Sequence, residues 1–146
     1  MRRAIVLMMI FALVLVGCGG STGDTTVPDP PKASAFQKGD NQKLNQIIAG
    51  WQSDVPAMLE QNAIKKETIE EKIYQSTATL QEIADFYKQQ ITSDKGWVEV
   101  RRMPGLQNGM FLDAYDHGTT SLVVGAFDAA QVGGTGTVIY TAKGNK

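Results

Sequence analysis

A chain of 146 residues, 42% hydrophobic and 20% charged, is of a size and make-up that support one modest globular domain. Its 14 Lys and Arg against 15 Asp and Glu give a net charge of −1, which argues against the basic clusters that nucleic acid or an anionic membrane surface requires. The one cysteine, Cys18, excludes a zinc ribbon, a redox pair and a disulfide-stapled fold, so stability has to come from packing.

The chain starts with Arg2 and Arg3, followed by an unbroken apolar run from Ala4 to Val16. A membrane-spanning helix needs about 20 apolar residues, so a positive start and a shorter run read as a secretory signal. Leu15-Val16-Gly17-Cys18 closes the run. This tetrad resembles the lipobox of bacterial lipoproteins. The resemblance implies that residues 1–17 are a signal peptide removed by cleavage, that Cys18 carries a thioether-linked diacylglycerol, and that the new amino terminus is acylated with palmitate or a similar chain. It implies a protein exported and lipid-anchored to a membrane of the bacterial cell envelope, facing the periplasm or the exterior. Gly19 rather than Asp after the cysteine permits sorting to an outer membrane. Loss of Arg2 and Arg3 takes the mature charge to −3. With the sole thiol acylated, no thiol nucleophile remains.

Residues 18–40 are expected to be the lipidated cysteine and a disordered tether. From Gly19 to Ala35 only Val27 is clearly apolar and larger than alanine, too little burial to offset ordering entropy. Residues 41–146 are expected to form a single domain. Leu44, Ile47, Ile48, Trp51 and Val55 predict a helix capped by Asp40 and ended at Val55-Pro56. A loop with one helical turn then leads to a strand over Thr68–Ser76; Glu67, just before it, reads with Glu70 and Glu71 as a solvated acidic edge.

The best-specified element comes next. Thr79 and Glu82 fit a capping box; Leu80, Ile83, Ala84, Tyr87 and Ile91 form one apolar stripe, with Asp85, Lys88 and Gln89 facing water; Gly96 is placed to stop the helix. Strands are expected over Trp97–Met103, Gly109–Asp116, Thr120–Phe127 and Gly136–Ala142. A turn is placed at Pro104–Asn108, a tight hairpin at Asp116–Thr119 with Gly118 at positive φ, and a glycine-bearing loop over Asp128–Thr135. Thr120–Phe127 is the most apolar strand and is expected at the centre. The fold class is thus α+β: a largely antiparallel sheet of about five strands, with one long helix and an N-terminal helix packed on one face. The stretch Tyr74–Trp97, with the helix IADFYKQQI and then Gly96-Trp97, is similar to small domains of bacterial lipoproteins without assigned activity. That resemblance implies the fold and no chemistry.

No catalytic constellation emerges. Gly133-Gly134-Thr135-Gly136-Thr137 could suggest a phosphate cradle, but a strand follows it where a helix is needed, so it reads as a hairpin loop. His117, with Asp113 and Asp116 nearby, suggests a metal site; strand alternation puts the two acids on opposite faces, and no second histidine exists. Ser121 lacks a G-x-S-x-G elbow and an oriented base. Arg101-Arg102 reads as a short exposed charge run. The aromatics, Trp51, Trp97, Tyr74, Tyr87, Phe111, Tyr115, Phe127 and Tyr140, read as core and core rim.

No catalytic residue, metal or cofactor is therefore expected. The expected function is that of a membrane-anchored envelope lipoprotein with a non-catalytic binding or interaction domain, held to the membrane at Cys18 and meeting an envelope protein or small ligand, with no nucleic acid as partner. A structural or stress-related envelope lipoprotein and a carboxylate-dependent hydrolase are the alternatives. A concave apolar surface on an open sheet face would favour binding, a flat charged one the structural role.

Overall fold

The computed structural model describes residues 24–100 and 103–146. The expected signal run and lipobox, with Cys18, and Arg101-Arg102 lie outside the described residues. Among the described residues, two α-helices accompany an antiparallel sheet of seven strands, so the class is α+β. The strands are β1 (Ala33–Ala35), β2 (Glu70–Ser76), β3 (Val98–Glu99), β4 (Gly105–Gln107), β5 (Met110–His117), β6 (Thr120–Asp128) and β7 (Thr137–Asn145). Their order is β1-β2-β7-β6-β5-β3, with β4 also on β5. Because β3 pairs Tyr115 and Asp116 while β4 pairs Met110 to Leu112, the two lie end to end along one edge of β5.

The expected five strands omitted β1 and β4. The stretch taken as a turn, Pro104–Asn108, contains β4, and the chain reverses at Asn108-Gly109 with φ of +51° and +71°. Asn-Gly with both residues left-handed makes the two-residue turn that matches strand twist. At Gly118-Thr119 the tight hairpin is as expected, with Gly118 at φ +58° and His117 paired to Thr120.

Helix α1 spans Gln42–Gln61 and is capped by Asn41, whose side chain accepts the Leu44 amide at 3.1 Å, rather than by Asp40. Nor does it end at Val55-Pro56. An interior proline costs about 3 kcal/mol, but Leu44, Ile48, Val55 and Leu59 keep one buried stripe along all 20 residues. Full burial of a side chain such as Leu59, the buried residue beyond the expected stop, returns about 1.5–3 kcal/mol, comparable to the cost at Pro56, and half-buried Met58 adds to it.

Helix α2 (Leu80–Tyr87) starts with the expected box: the Thr79 hydroxyl accepts the Glu82 amide at 3.2 Å, and the Glu82 carboxylate accepts the Thr79 amide at 2.7 Å. It runs on as a π-helical turn over Lys88–Ser93, within which the Thr92 hydroxyl bonds back to the Lys88 carbonyl. Gly96 ends it at φ +72°, as expected.

The two helices do not share a face. Leu122, Val124 and Ala126 of β6 pack with Ile83, Ala84, Tyr87 and Ile91 of the α2 layer. The alternate residues meet α1, Val123 against Val55 and Leu59, and Phe127 against Leu44 and Ile48. The expected one-sided arrangement is corrected to a sheet between two helical layers. This explains why β6 is buried along nearly its whole length and reads as an apolar run instead of an alternation.

The second correction concerns the expected tether. Its described part, from Asp24, is docked on the domain. Asp24 meets Lys95 at 2.6 Å, Asp29 accepts the Tyr74 hydroxyl at 2.6 Å, the Pro31 carbonyl accepts the Ser76 hydroxyl at 2.6 Å, and Lys32 pairs with Glu82 at 3.3 Å. Val27 packs into the α2 layer. After Lys32, at φ +51°, the chain turns back and Ala33–Ala35 becomes the edge strand on β2. The lone apolar residue of this segment is spent in the core, and backbone ladder bonds contribute what its side chains lack.

Candidate functional site

With both faces of the sheet covered, no open face exists to serve as a binding surface among the described residues. Of several concavities, the one with the most apolar lining lies between the C-terminal half of α1 and the β5–β6 hairpin: a cleft of about 170 Å³. Its walls are Met58, Leu59, Val100, Met103, Ala114 and Val123. Asn62, Asp116, Ser121 and Lys146 form its polar end. Helix α1 brings Met58, Leu59 and Asn62 there only because it continues through Pro56. Drug-sized pockets usually measure about 300–1,000 Å³, so this one takes a single small apolar group. Methionine walls can adapt to its shape.

The expected metal constellation is not assembled. Asp113 faces the α2 layer, accepting the Ala114 amide at 2.9 Å and the Tyr115 hydroxyl at 3.1 Å. Burial pushes its carboxyl above the usual carboxylate range, against the lowering effect of the Ala114 amide. His117 lies on the same face but four residues further along β5, about 13 Å away at strand spacing. Its ring sits 5.6 Å from that of Trp97. Asp116 is on the opposite face, as alternation requires, and accepts the Ser121 hydroxyl at 2.5 Å. Among the described residues, no group of three His, Cys, Asp or Glu side chains is placed to hold a metal ion.

Ser121 therefore has a carboxylate partner and no imidazole, since His117 faces away from it. A hydroxyl that donates to a carboxylate is held in place, and the pair offers an acceptor at the cleft end. Gly133–Gly136 of the glycine-rich stretch lie in the connection between β6 and β7, and Thr137, the first residue of β7, donates its hydroxyl to the Ala78 carbonyl at 2.7 Å. Of the acidic edge, Glu70 pairs with Lys143 at 3.5 Å and Glu71 accepts the Tyr140 hydroxyl at 2.5 Å. Burial and the Glu71 bond both raise the Tyr140 pKa.

Sequence reasoning missed Met58, Asn62, Met103 and Lys146. The one available signal was the apolar pair Met58-Leu59 continuing the α1 stripe beyond Pro56. Comparison with protein families, with curated proteins and with solved structures found no match.

Proposed function

We propose that this chain is an exported bacterial lipoprotein, acylated on Cys18, whose domain is a non-catalytic binding module that takes one small apolar group of an envelope ligand or partner into the α1–β5–β6 cleft. Leu15-Val16-Gly17-Cys18, after a positive start and an apolar run, supports the anchor. The observation that carries the binding role is the cleft itself, apolar along its walls and polar at one end, where Asp116 is engaged by Ser121. Acid–base hydrolysis needs two positioned titratable groups within reach of one reacting atom, and this cleft offers Asp116 without a second carboxylate or imidazole lining it.

Two measurements test the reading separately. Cells making the protein should incorporate radiolabelled palmitate into it, and Cys18→Ser should abolish that label together with firm membrane retention; equal labelling of the variant would remove the anchor. Methyl-labelled methionine NMR of the folded domain, titrated with hexanoate, should shift Met58 and Met103 but leave Met110, which lies at the opposite end of the sheet. Unmoved Met58 and Met103 signals at millimolar hexanoate would remove the binding role.

A further inference from the structure

The seven-stranded sheet has two ends, and one of them collects features that no local stretch of sequence contains. Strand register places Asp116 beside Ser121, Ser121 beside Gly144 and Glu70 beside Lys143, all at the end marked by the Gly118-Thr119 turn. The polar end of the cleft is there, formed by Asp116, Ser121 and Lys146. Lys65 is there too, its amide donating to the Asn145 carbonyl at 2.8 Å, and Lys66 begins the short helical turn that follows. Lys65, Lys66 and Lys146 are exposed and, among the described residues, none has a carboxylate within ion-pair range, although Glu67 shares their turn. Val98, paired to Asp116, is 68% exposed at the same end.

The docked N-terminal segment enters at this end as well. Thr26 and Val27 lie with Glu70, Lys72 and Lys143, and Asp24 meets Lys95. From Cys18 to Asp24 the backbone has six steps, which span at most about 20 Å when fully extended. Were the segment free as far as Phe36, the same anchor would allow roughly 60 Å. Docking thus shortens the leash about threefold and ties it to the lysine-bearing end.

We infer that this end, with Lys65, Lys66, Lys146, Val98 and the polar end of the cleft, is a lipid-contacting surface that rests on the anionic bilayer carrying the anchor. This inference depends on the lipoprotein reading above. Lysines and an exposed valine at one end of the sheet suit an interface where ammonium groups meet lipid phosphates and an apolar side chain enters the acyl boundary. Headgroups respond to the charge within a Debye length, about 8–10 Å, rather than to the mature net charge of −3, and there the lysines compete with the exposed Asp24, Glu67 and Glu70. The polar end of the cleft then lies against the membrane, so the apolar group it takes is membrane-borne. The far end, at the β6–β7 loop, stands about 30 Å higher, the length of the nine residues of β6.

The test uses the full-length lipidated protein, purified from membranes and reconstituted in vesicles containing phosphatidylglycerol, with one fluorophore at Thr119→Cys or at Thr135→Cys and nitroxide-labelled lipid headgroups as quenchers. Loss of fluorescence at position 119 with little at position 135 is expected. Equal quenching, as a domain lying on its side would give, or stronger quenching at 135 overturns the inference. Lys65→Glu with Lys66→Glu should weaken the quenching at 119, and Lys95→Glu, which repels Asp24 and frees the leash, should weaken it further; quenching unchanged by the first pair overturns the lysine contact. Intact mass separates the two levels: a purified protein without the diacylglycerol on Cys18 sinks the lipoprotein reading and this surface with it, whereas a lipidated protein with equal quenching sinks the surface alone.

Discussion

The indole of Trp51 lies against the backbone of Gly125, so near that a Cβ on residue 125 would come within 3.3 Å of the ring. The same ring meets Phe127 edge-on at 5.4 Å between centroids and Tyr140 at 5.9 Å. A strand glycine usually weakens a sheet, and here it makes the trough in which α1 rests its largest side chain. Gly125→Val would force three carbons beneath the indole. Overpacking of this kind costs about 1–3 kcal/mol, read as a lower midpoint in urea at unchanged slope. A Gly125→Val protein as stable as the parent would mean that α1 does not bear on β6.

On the opposite face, Ile83 is fully buried among the sheet residues, while Gln89, two positions after Tyr87, is exposed. Ile83→Ala should lower stability by roughly 2–5 kcal/mol through lost contacts and a residual cavity. Gln89→Ala should change it by less than about 0.5 kcal/mol. Two equally mild variants would show that α2 packs by another face.

The docked N-terminal segment should respond to acid and salt. The hydrogen bond from Lys95, reinforced by Thr26, holds the Asp24 carboxyl well below the usual carboxylate range. The Thr79 amide, then its hydroxyl and Lys32, hold Glu82 below its ordinary 4.5. For an acid whose folded pKa is depressed, the stabilisation is present above the ordinary value and is lost as pH falls through the folded one. Docking should therefore persist at neutral pH, weaken only as pH drops below 3.8 and 4.5, and also weaken in high salt, because both carboxylates are exposed. Methyl NMR of Val27 would follow the release. Deleting residues 24–35 should cost more than about 1 kcal/mol, since it removes a core contact and an edge strand; a smaller loss would count against docking.

Asp113 has the opposite sign. Its folded pKa is raised by burial, so folding loses stability as pH climbs from 3.8 through the folded value. Asp113→Asn keeps a carbonyl acceptor for the Ala114 amide and removes the buried charge. Its urea midpoint should fall less than that of the parent across that rise in pH; parallel pH profiles would show that Asp113 is not the group responsible.

Those four relationships differ in how far the amino-acid order reveals them. The α2 elements were legible because each is local: Thr79 and Glu82 lie one turn apart, the Leu80 to Ile91 stripe repeats at the helical period, and Gly96 sits where a left-handed residue must end the helix. The Gly118 turn and the apolar run of β6 were legible for the same reason. Asn108-Gly109 is an equally local turn signal, yet the expected turn covers Pro104–Asn108 and leaves Gly109 to the strand.

What the chain determined by itself is thus the set of elements whose causes lie within a few residues, together with the Cys18 signature on which the proposed anchor rests. Tertiary structure decided the rest. Continuation of α1 past Pro56 depends on a sheet for Val55 and Leu59 to bury against, and the placing of α1 and α2 on opposite faces depends on β6 being interior. The docking of Asp24 to Ala35 depends on partners about 40 to 70 residues away, among them Tyr74 and Lys95, so its own composition reads as free chain. Lys65 reaches Asn145, the neighbour of Lys146, only because the last residues of β7 run beside the exit from α1. Local propensities are weak against a shared core, and the burial that overrides them exists only once distant segments have met.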